Sequence, residues 1–209
     1  MSRFLKYYLY IICFTVLFTS CKDGKKPMST KSNAKVNETT SNSNVDKLSS
    51  EGFQISEIND DGYEFWTRTV DGRRLEEGTV HNGLKDGSWI TYHDDRLNLL
   101  ESIGNYKNGI LHGTFTKFAN SGVATDILFF VNGVQEGPAR KYNSAKLVEE
   151  NHYKNGKLDG SRKTYYSNGE VKVESNFANG KREGVEKYYD EEGNVSIEYK
   201  YREGVRLKK

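Results

Sequence analysis

The chain has 209 residues, enough for one or two ordinary domains, and a formal net charge of +2. Hydrophobic residues make up only 35% of it, yet aromatic residues reach 12%, with 14 Tyr and 10 Phe. Chains poor in aliphatic residues are normally disordered, but disordered chains are also poor in aromatics. The composition therefore argues against a wholly unfolded chain and against a large α/β enzyme core, and it favours a thin β architecture.

The first 21 residues have the features of a bacterial lipoprotein signal. Arg3 and Lys6 precede residues 7–18, a twelve-residue stretch that is apolar apart from Thr15. A helix needs about 17 residues or more to span a bilayer core, so a signal peptide is predicted over residues 1–20. Residues 17–21, Leu-Phe-Thr-Ser-Cys, resemble a lipobox, which implies cleavage before Cys21 and lipidation of that cysteine. An uncleaved signal anchor and a plain secretory peptide are the alternatives.

Removal of this leader changes the inventory of reactive and charged residues. Cys13 lies in the leader and Cys21 would be acylated, so the mature chain is expected to hold no disulfide and no cysteine nucleophile. Loss of Arg3 and Lys6 leaves 31 − 2 = 29 basic residues against 29 acidic ones. A neutral mature chain predicts no nucleic-acid partner. The localisation expected is the bacterial cell envelope, with a lipid anchor in the outer membrane rather than the inner.

Residues 22–52 are rich in Ser, Thr, Asn and Lys and contain no aromatic residue. Such a segment cannot bury enough apolar surface to offset the entropy lost on ordering. We predict that residues 21–52 comprise the lipidated cysteine and a disordered tether, with a reach of roughly 30 Å. A pro-segment or an interaction tail is the alternative.

A unit of about 24 residues repeats through the rest of the chain. An Asn-Gly pair opens each unit, and successive pairs are 23 to 26 residues apart. A second glycine follows four residues after the first, and an aromatic residue follows five after that. Another aromatic lies two residues before the next pair, and this periodicity is the signature of a repeat protein. The pairs are Asn82-Gly83, Asn108-Gly109, Asn132-Gly133, Asn155-Gly156 and Asn179-Gly180, with Glu203-Gly204 as a variant.

Residues 53–209 are therefore predicted to form one repeat domain. It begins with a degenerate copy at 57–81 and closes with a partial copy at 203–209. The full copies between them are 82–107, 108–131, 132–154, 155–178 and 179–202.

Each unit has the features of a β-hairpin. Asn and Gly both tolerate positive φ, which makes the pair a strong turn signal. The runs between turns alternate with period two: Val171, Val173 and Phe177 share one face, and Lys172 and Glu174 share the other. The fold predicted is all-β, an array of about six antiparallel β-hairpins, or eleven to twelve strands, in one long twisted sheet.

Two stretches of the repeat resemble a known family. Residues 87–92, Gly-Ser-Trp-Ile-Thr-Tyr, and residues 113–118, Gly-Thr-Phe-Thr-Lys-Phe, are similar to the MORN-variant repeat of bacterial proteins, some of them of antitoxin or immunity type. The resemblance covers residues 82–207 well and 57–81 loosely. It implies a hairpin-repeat sheet with a grooved face.

Candidate catalytic and metal-binding chemistry is weak. The four histidines are scattered over separate units without a shared spacing, so no metal site and no cofactor is predicted. Acidic residues precede four of the second glycines, and we interpret them as turn residues rather than a catalytic row. We predict that the protein is not an enzyme; a hydrolase with carboxylates from successive turns is the alternative. These acidic residues are Asp86, Glu136, Asp159 and Glu183.

The aromatic rows are either the core of a thin sheet or a binding ladder, and one set is expected to stay exposed as a binding surface. The function predicted is a membrane-tethered, non-enzymatic repeat scaffold that binds a protein or an envelope component. The alternative, implied by the family resemblance, is an immunity or antitoxin-like protein that neutralises a secreted toxin. The candidate binding residues are Trp89, Tyr92, Phe115, Phe118, Tyr142, Tyr165, Tyr188 and Tyr189.

Overall fold

The computed structural model of the protein describes residues 45, 47–94 and 97–208. The predicted signal peptide, Cys21 and residues 22–44 of the predicted tether lie outside the described residues, so these predictions stay predictions.

The described residues form sixteen β-strands in a single sheet, and every pairing is antiparallel. Along the sheet, each strand lies beside the strands that precede and follow it in the chain, apart from two short ones at the side of the path. The predicted all-β array of antiparallel hairpins is therefore confirmed. The strands are β1 (Phe53–Glu57), β2 (Tyr63–Val70), β3 (Arg73–His81), β4 (Leu84–Tyr92), β5 (Leu100–Lys107), β6 (Ile110–Phe118), β7 (Ala124–Val131), β8 (Val134–Gln135), β9 (Gly137–Asn143), β10 (Lys146–Lys154), β11 (Lys157–Tyr165), β12 (Val171–Ala178), β13 (Lys181–Arg182), β14 (Gly184–Tyr189), β15 (Val195–Arg202) and β16 (Val205–Arg206).

The Asn-Gly pairs form the tight turns that the sequence predicts. Asn108 and Gly109, for example, have φ values of 50° and 79°, and two consecutive positive φ values are typical of a two-residue type I′ hairpin. Ser144 and Ala145 adopt the same conformation between β9 and β10, with φ values of 48° and 66°. Neither of these two central residues is Asn or Gly, so the turn was not recognisable from the sequence.

A bulge lies at each second glycine. In the β5–β6 pair, Gly104 lies opposite Phe115 and Tyr106 lies opposite Leu111, so that three residues of β6 face one residue of β5. Gly113, within this bulge, has a φ of 103°, which a residue with a side chain rarely adopts. The same break separates β8 from β9 and β13 from β14. These two breaks, together with β1 and with β16 of the partial copy, account for the sixteen strands where eleven to twelve were predicted.

The acidic residues before the second glycines bind the turn of the next repeat. The backbone N–H of Asn179 donates to the Asp159 carboxylate at 3.0 Å, and the N–H of Gly180 donates to the Leu158 carbonyl at 2.7 Å. We call this pair of hydrogen bonds the staple. The same carboxylate contact occurs from Asp86 to Asn108, from Glu136 to Asn155 and from Glu183 to Glu203.

One repeat departs from this chemistry. There the position is held by His112, whose Nδ1 lies 3.4 Å from the N–H of Asn132. The carboxylates are thus more than turn residues, because each one connects two successive repeats.

The tightest packing lies in the first repeats. Trp66, Val80 and Trp89 are buried together, and Leu48, Phe53 and Tyr106 pack against them. A Cβ on Gly78 would lie 2.6 Å from the Ser88 carbonyl oxygen, so the close approach of β3 and β4 requires glycine there.

Leu48 falls within the predicted tether. Its backbone N–H donates to the Gly83 carbonyl at 2.9 Å, and its side chain reaches the buried cluster. Contacts with the repeats therefore begin before residue 53. Composition alone did not indicate them, because Leu48 lies within a segment that is otherwise mostly polar.

The staple is expected to contribute measurably to stability. Asp159→Ala removes an acceptor from the Asn179 N–H and should lower the free energy of unfolding by about 1 kcal/mol. His112→Asp supplies a carboxylate in the repeat that holds histidine and should raise that free energy by a smaller amount. Thermal unfolding followed by circular dichroism measures both. Asp61→Ala, in the exposed β1–β2 loop, is the matched control, and equal losses for Asp159→Ala and Asp61→Ala would contradict the staple.

Candidate interaction surface

The two faces of the sheet are distinguished by two neighbouring carboxylates of β3. The indole N–H of Trp89 donates to Glu76 at 3.0 Å, whereas the hydroxyl of Tyr92 donates to Glu77 at 2.5 Å. Because adjacent strand residues point to opposite sides, Trp89 and Tyr92 lie on different faces. We call the face that carries Trp89 the Trp89 face. The opposite face carries Tyr92 and is called the Ile90 face, after the residue that follows Trp89 in β4.

The eight aromatic residues proposed from the sequence divide between these faces. Trp89, Phe115 and Tyr188 lie on the Trp89 face. The other five share one position in the repeat and lie toward the Ile90 face, where the Tyr189 hydroxyl donates to Glu174 at 3.0 Å. Trp89 is 2% exposed, and the remaining seven are half-buried. They do not form one continuous surface, and the binding role predicted for them stays a prediction.

On the Trp89 face, one cross-strand row changes character along the sheet. It begins with Trp66, Trp89 and Phe115, and it continues with Leu128, Ala139 and the mostly polar residues listed below. Glycines lie opposite both tryptophans and Phe115, which makes room for the rings. The later members of the row are Asn151, Arg162, Ser175, Glu186 and Tyr199.

The polar part of this row borders small depressions. One of about 190 Å³ is lined by Ala139 and Asn151, and one of about 140 Å³ is lined by Arg162 and Glu186. Glu186 is buried and paired with Arg182 at 2.9 Å. The buried Oδ1 of Asn151 has no hydrogen-bond partner in the described part of the chain. An unpaired buried acceptor is costly, so the depression beside it suits a polar group.

The Ile90 face carries a second continuous row, which no sequence motif indicated. In the first half it consists of Thr67, Glu77, Ile90, Ile103, Thr116 and Ile127. In the second half every member is charged and the sign alternates from strand to strand. We call this second half the charge ladder: Arg140, Glu150, Lys163, Glu174, Lys187 and Glu198.

Three cross-strand ion pairs hold the ladder. Arg140 lies 2.7 Å from Glu150, Lys163 lies 3.2 Å from Glu174, and Lys187 lies 3.8 Å from Glu198. Opposite charges directly across an antiparallel pair are stabilising, each by roughly 0.2–1 kcal/mol. Their alternation leaves this part of the sheet with a fixed pattern of charge instead of a net charge.

The ladder shifts the ionisation of its members. The interaction with Glu174 raises the pKa of the Lys163 ammonium, and the hydrogen bond to Glu150 raises the pKa of the Arg140 guanidinium. Burial alone would raise the pKa of Glu174, but the hydrogen bonds from Lys163 and Tyr189 outweigh it and hold that pKa below its ordinary value. The charged forms are therefore the favoured ones at neutral pH.

A different arrangement of charge occurs in the first repeats. The Lys85 ammonium lies 4.2 Å from the centre of the Trp89 ring and 5.2 Å from that of Tyr106. Burial lowers the pKa of Lys85, while the nearby Glu76 opposes the shift. Here the cation is half-buried and packed onto the aromatic core, so it is less available to a ligand than the charges of the ladder.

Two further findings concern the described residues as a whole. Within residues 45, 47–94 and 97–208, no three His, Cys, Asp or Glu side chains are grouped closely enough to hold a metal ion. In the same part of the chain there is no helix with the length and apolar character needed to cross a bilayer.

The ladder was missed because it falls outside the glycine and aromatic motifs. Its cations Arg140, Lys163 and Lys187 each lie three residues after a second glycine. Its acidic members Glu150 and Glu174 each lie five residues before an Asn-Gly pair. Alignment of the repeats on their glycines would have shown that these two positions carry opposite charges in successive repeats.

Acid is expected to remove the contribution of Glu174 to stability. Since its folded-state pKa is depressed, that contribution is present above the unfolded pKa of about 4.3 and is lost as the pH falls through the folded value. Glu174→Gln should lower the thermal midpoint by about 1–4 °C at neutral pH and match the wild type once acid protonates Glu174 in the folded state. Circular dichroism melts across this range measure it.

Glu191→Gln, in the exposed β14–β15 loop, is the control for this variant and should follow the wild type at every pH. A difference between Glu174→Gln and the wild type that stays constant as the pH is lowered until the protein unfolds in acid would show that the ion pair is not the cause.

Comparison with known proteins identifies the repeat. Residues 158–179 and 182–203 match the MORN repeat variant, and no curated protein matches the chain. The first match contains most of β11 and all of β12, and the second runs from the end of β13 through β15. The resemblance predicted from the sequence is thus confirmed over these two adjacent copies, which contain the charge-ladder members Lys163, Glu174, Lys187 and Glu198.

Proposed function

We propose that the protein is a membrane-tethered repeat scaffold without enzymatic activity, and that its later repeats bind a protein partner in the cell envelope. The observation that carries this proposal is the charge ladder, which offers six alternating charges on one face of an open sheet. With neighbouring strands about 4.8 Å apart, six strands present this pattern over roughly 24 Å.

The setting of the ladder supports a binding role. Half-buried tyrosines flank it, and Tyr, Trp and Arg are the residues enriched at protein interfaces. The ion pairs Arg140–Glu150 and Lys163–Glu174 hold their side chains in place before any partner arrives, which reduces the entropy lost on binding. A fixed pattern of alternating charge favours a complementary surface and repels a mismatched one.

Reversal of every sign in the ladder tests this proposal. The six-residue variant R140E/E150R/K163E/E174K/K187E/E198K keeps opposite charges across every strand pair while it inverts the pattern that a partner meets. We expect an unchanged circular dichroism spectrum and at least a tenfold loss of the partner captured by the full chain from envelope extracts. Equal capture by both proteins, or no partner for the wild type, would overturn the proposal.

The identity of the captured protein also decides between the two candidate functions. A single stoichiometric toxin domain would favour the immunity role, whereas a resident envelope protein would favour a general scaffold.

The lipid anchor is tested separately. Cys21→Ala should move the protein from the membrane fraction to the soluble fraction, because the proposed acylation site is lost. Cys13→Ala, within the leader, is the matched control and should stay with the membranes. Fractionation followed by immunoblotting measures both, and a Cys21→Ala protein that resists detergent-free washing would contradict lipidation at that residue.

A further inference from the structure

One Asn-Gly turn differs from the others in its hydrogen bonds. Asn82 and Gly83 have φ values of 54° and 79°, the conformation of the other Asn-Gly turns between repeats. Among residues 45, 47–94 and 97–208, however, no group accepts a hydrogen bond from the backbone N–H of either residue. The Gly83 carbonyl does accept from the N–H of Leu48, but it belongs to the next peptide unit. The peptide between Asn82 and Gly83 is therefore not stapled to any described residue.

The glycine N–H is bonded in every other Asn-Gly pair. The chain contains six such pairs, and in five of them this N–H donates to a backbone carbonyl at 2.7–3.1 Å. All six asparagines are exposed, so access to water does not distinguish them. The bonded glycines and their acceptors are Gly109 with Lys85, Gly133 with Leu111, Gly156 with Gln135, Gly169 with Tyr166 and Gly180 with Leu158.

This N–H takes part in a reaction that Asn-Gly pairs undergo without an enzyme. The glycine nitrogen gives its proton to hydroxide and attacks the side-chain Cγ of the asparagine. The new C–N bond closes a five-membered succinimide, and the bond from Cγ to Nδ2 breaks with release of ammonia. Water then opens the ring at either carbonyl, which leaves aspartate or isoaspartate. A hydrogen bond from the glycine N–H opposes the first step, because it must break before the peptide can rotate and lose that proton.

The residue before this pair places a proton donor at the leaving atom. The amide Nδ2 of Asn82 lies 3.2 Å from Nε2 of His81, and the imidazole is held by stacking on Tyr63, with ring centroids 4.3 Å apart. Nδ2 is the atom that leaves as ammonia, and an imidazolium at this distance can protonate it as the bond to Cγ breaks. The other five pairs follow Lys107, Val131, Lys154, Ser167 and Ala178, none of which is histidine.

We propose that Asn82 is a site of self-modification by deamidation, with the nitrogen of Gly83 as nucleophile and His81 as general acid. The substrate is the protein's own carboxamide, and water is the co-reactant. One carboxamide and one water become one carboxylic acid and one ammonia, and the imidazolium regains its proton from solvent. The staple protects the pairs between later repeats, which gives it a second role besides register. The product carries a new negative charge at the turn that Leu48 contacts.

Peptide mass spectrometry of the aged full chain tests the proposal. The folded protein is kept at neutral pH and physiological temperature, and the deamidated fraction is measured at each of the six Asn-Gly pairs after digestion. Asn82 should react at least fivefold faster than any other pair, with isoaspartate among its products. In denaturant all six pairs should react at similar rates, because each then has the same glycine neighbour and no fixed hydrogen bond.

His81→Lys tests the general acid. A lysine precedes the equivalent turn at Lys107, so the hairpin tolerates it, and an ammonium is a far weaker acid than an imidazolium. The rate at Asn82 should fall at least threefold in this variant. Lys107→His is the matched control and should leave Asn108 slow, because the N–H of Gly109 stays bonded.

Asp159→Ala tests protection by the staple. The variant removes the carboxylate that accepts from the N–H of Asn179, so the rate at Asn179 should rise at least twofold while that at Asn82 is unchanged. Asp61→Ala is the control and should change neither rate. Should Asp159→Ala fail to fold, the comparison of the six pairs in the wild type still decides the question.

Several results would overturn the modification of Asn82. These are equal rates at all six pairs of the folded protein, a faster reaction at a pair whose glycine N–H is bonded, and a lead of Asn82 that persists in denaturant. An unchanged rate at Asn82 in His81→Lys would remove the general acid from the proposal, and an unchanged rate at Asn179 in Asp159→Ala would remove protection by the carboxylate. Because no partner takes part in the reaction, these outcomes are separate from those of the capture experiment.

Discussion

The staple between successive repeats is the contact on which this sheet depends. In the part of the chain that the structure describes, no second layer covers the faces of this sheet, so neighbouring repeats must be held in register by local bonds. The left-handed turn at Asn179 directs its N–H groups toward the previous repeat, and the bulge at Gly160 brings Asp159 to meet them. Turn, bulge and acceptor side chain therefore act together, and in one repeat the acceptor is His112 instead of a carboxylate. This explains why glycine and an acidic residue recur side by side in the repeat.

Because the staple fixes the register of the strands, the residue types in the cross-strand rows are free to vary. In the first repeats, the tryptophan and phenylalanine rings on the Trp89 face lie opposite glycines of the neighbouring strands. This arrangement buries a large aromatic area within a single layer. Later repeats replace the rings with Ala139, Arg162 and Glu186 on the same face. Partly exposed ion pairs each contribute little to stability, so the later repeats rely more on hydrogen bonds between strands. The two ends of one fold are thus suited to different tasks.

The sequence predicted the fold well because its signals are local. An Asn-Gly pair encodes its own turn, and alternation within a strand encodes which side chains share a face. The sequence did not predict the staple, since Asp159 and Asn179 are twenty residues apart and meet only after the strands pair. The odd spacing of Trp89 and Tyr92 does predict that they lie on different faces of the sheet, but the sequence did not predict that each contacts a separate carboxylate. Both relations depend on register, and the bulges that set the register leave no motif beyond a glycine.

The placement of charge connects the architecture with the proposed binding role. A protein that needed its charges for stability alone would gain little from a row of ion pairs open to solvent, because screening weakens each of them. In the first repeats Glu77 alone is charged at the corresponding positions, and Ile90, Ile103 and Ile127 occupy three of them, so the fold does not require a row of charges there. The change from isoleucine to alternating Arg, Lys and Glu occurs where the aromatic core on the opposite face also ends. A surface that is not needed for packing on either face of the sheet can be specialised for a partner.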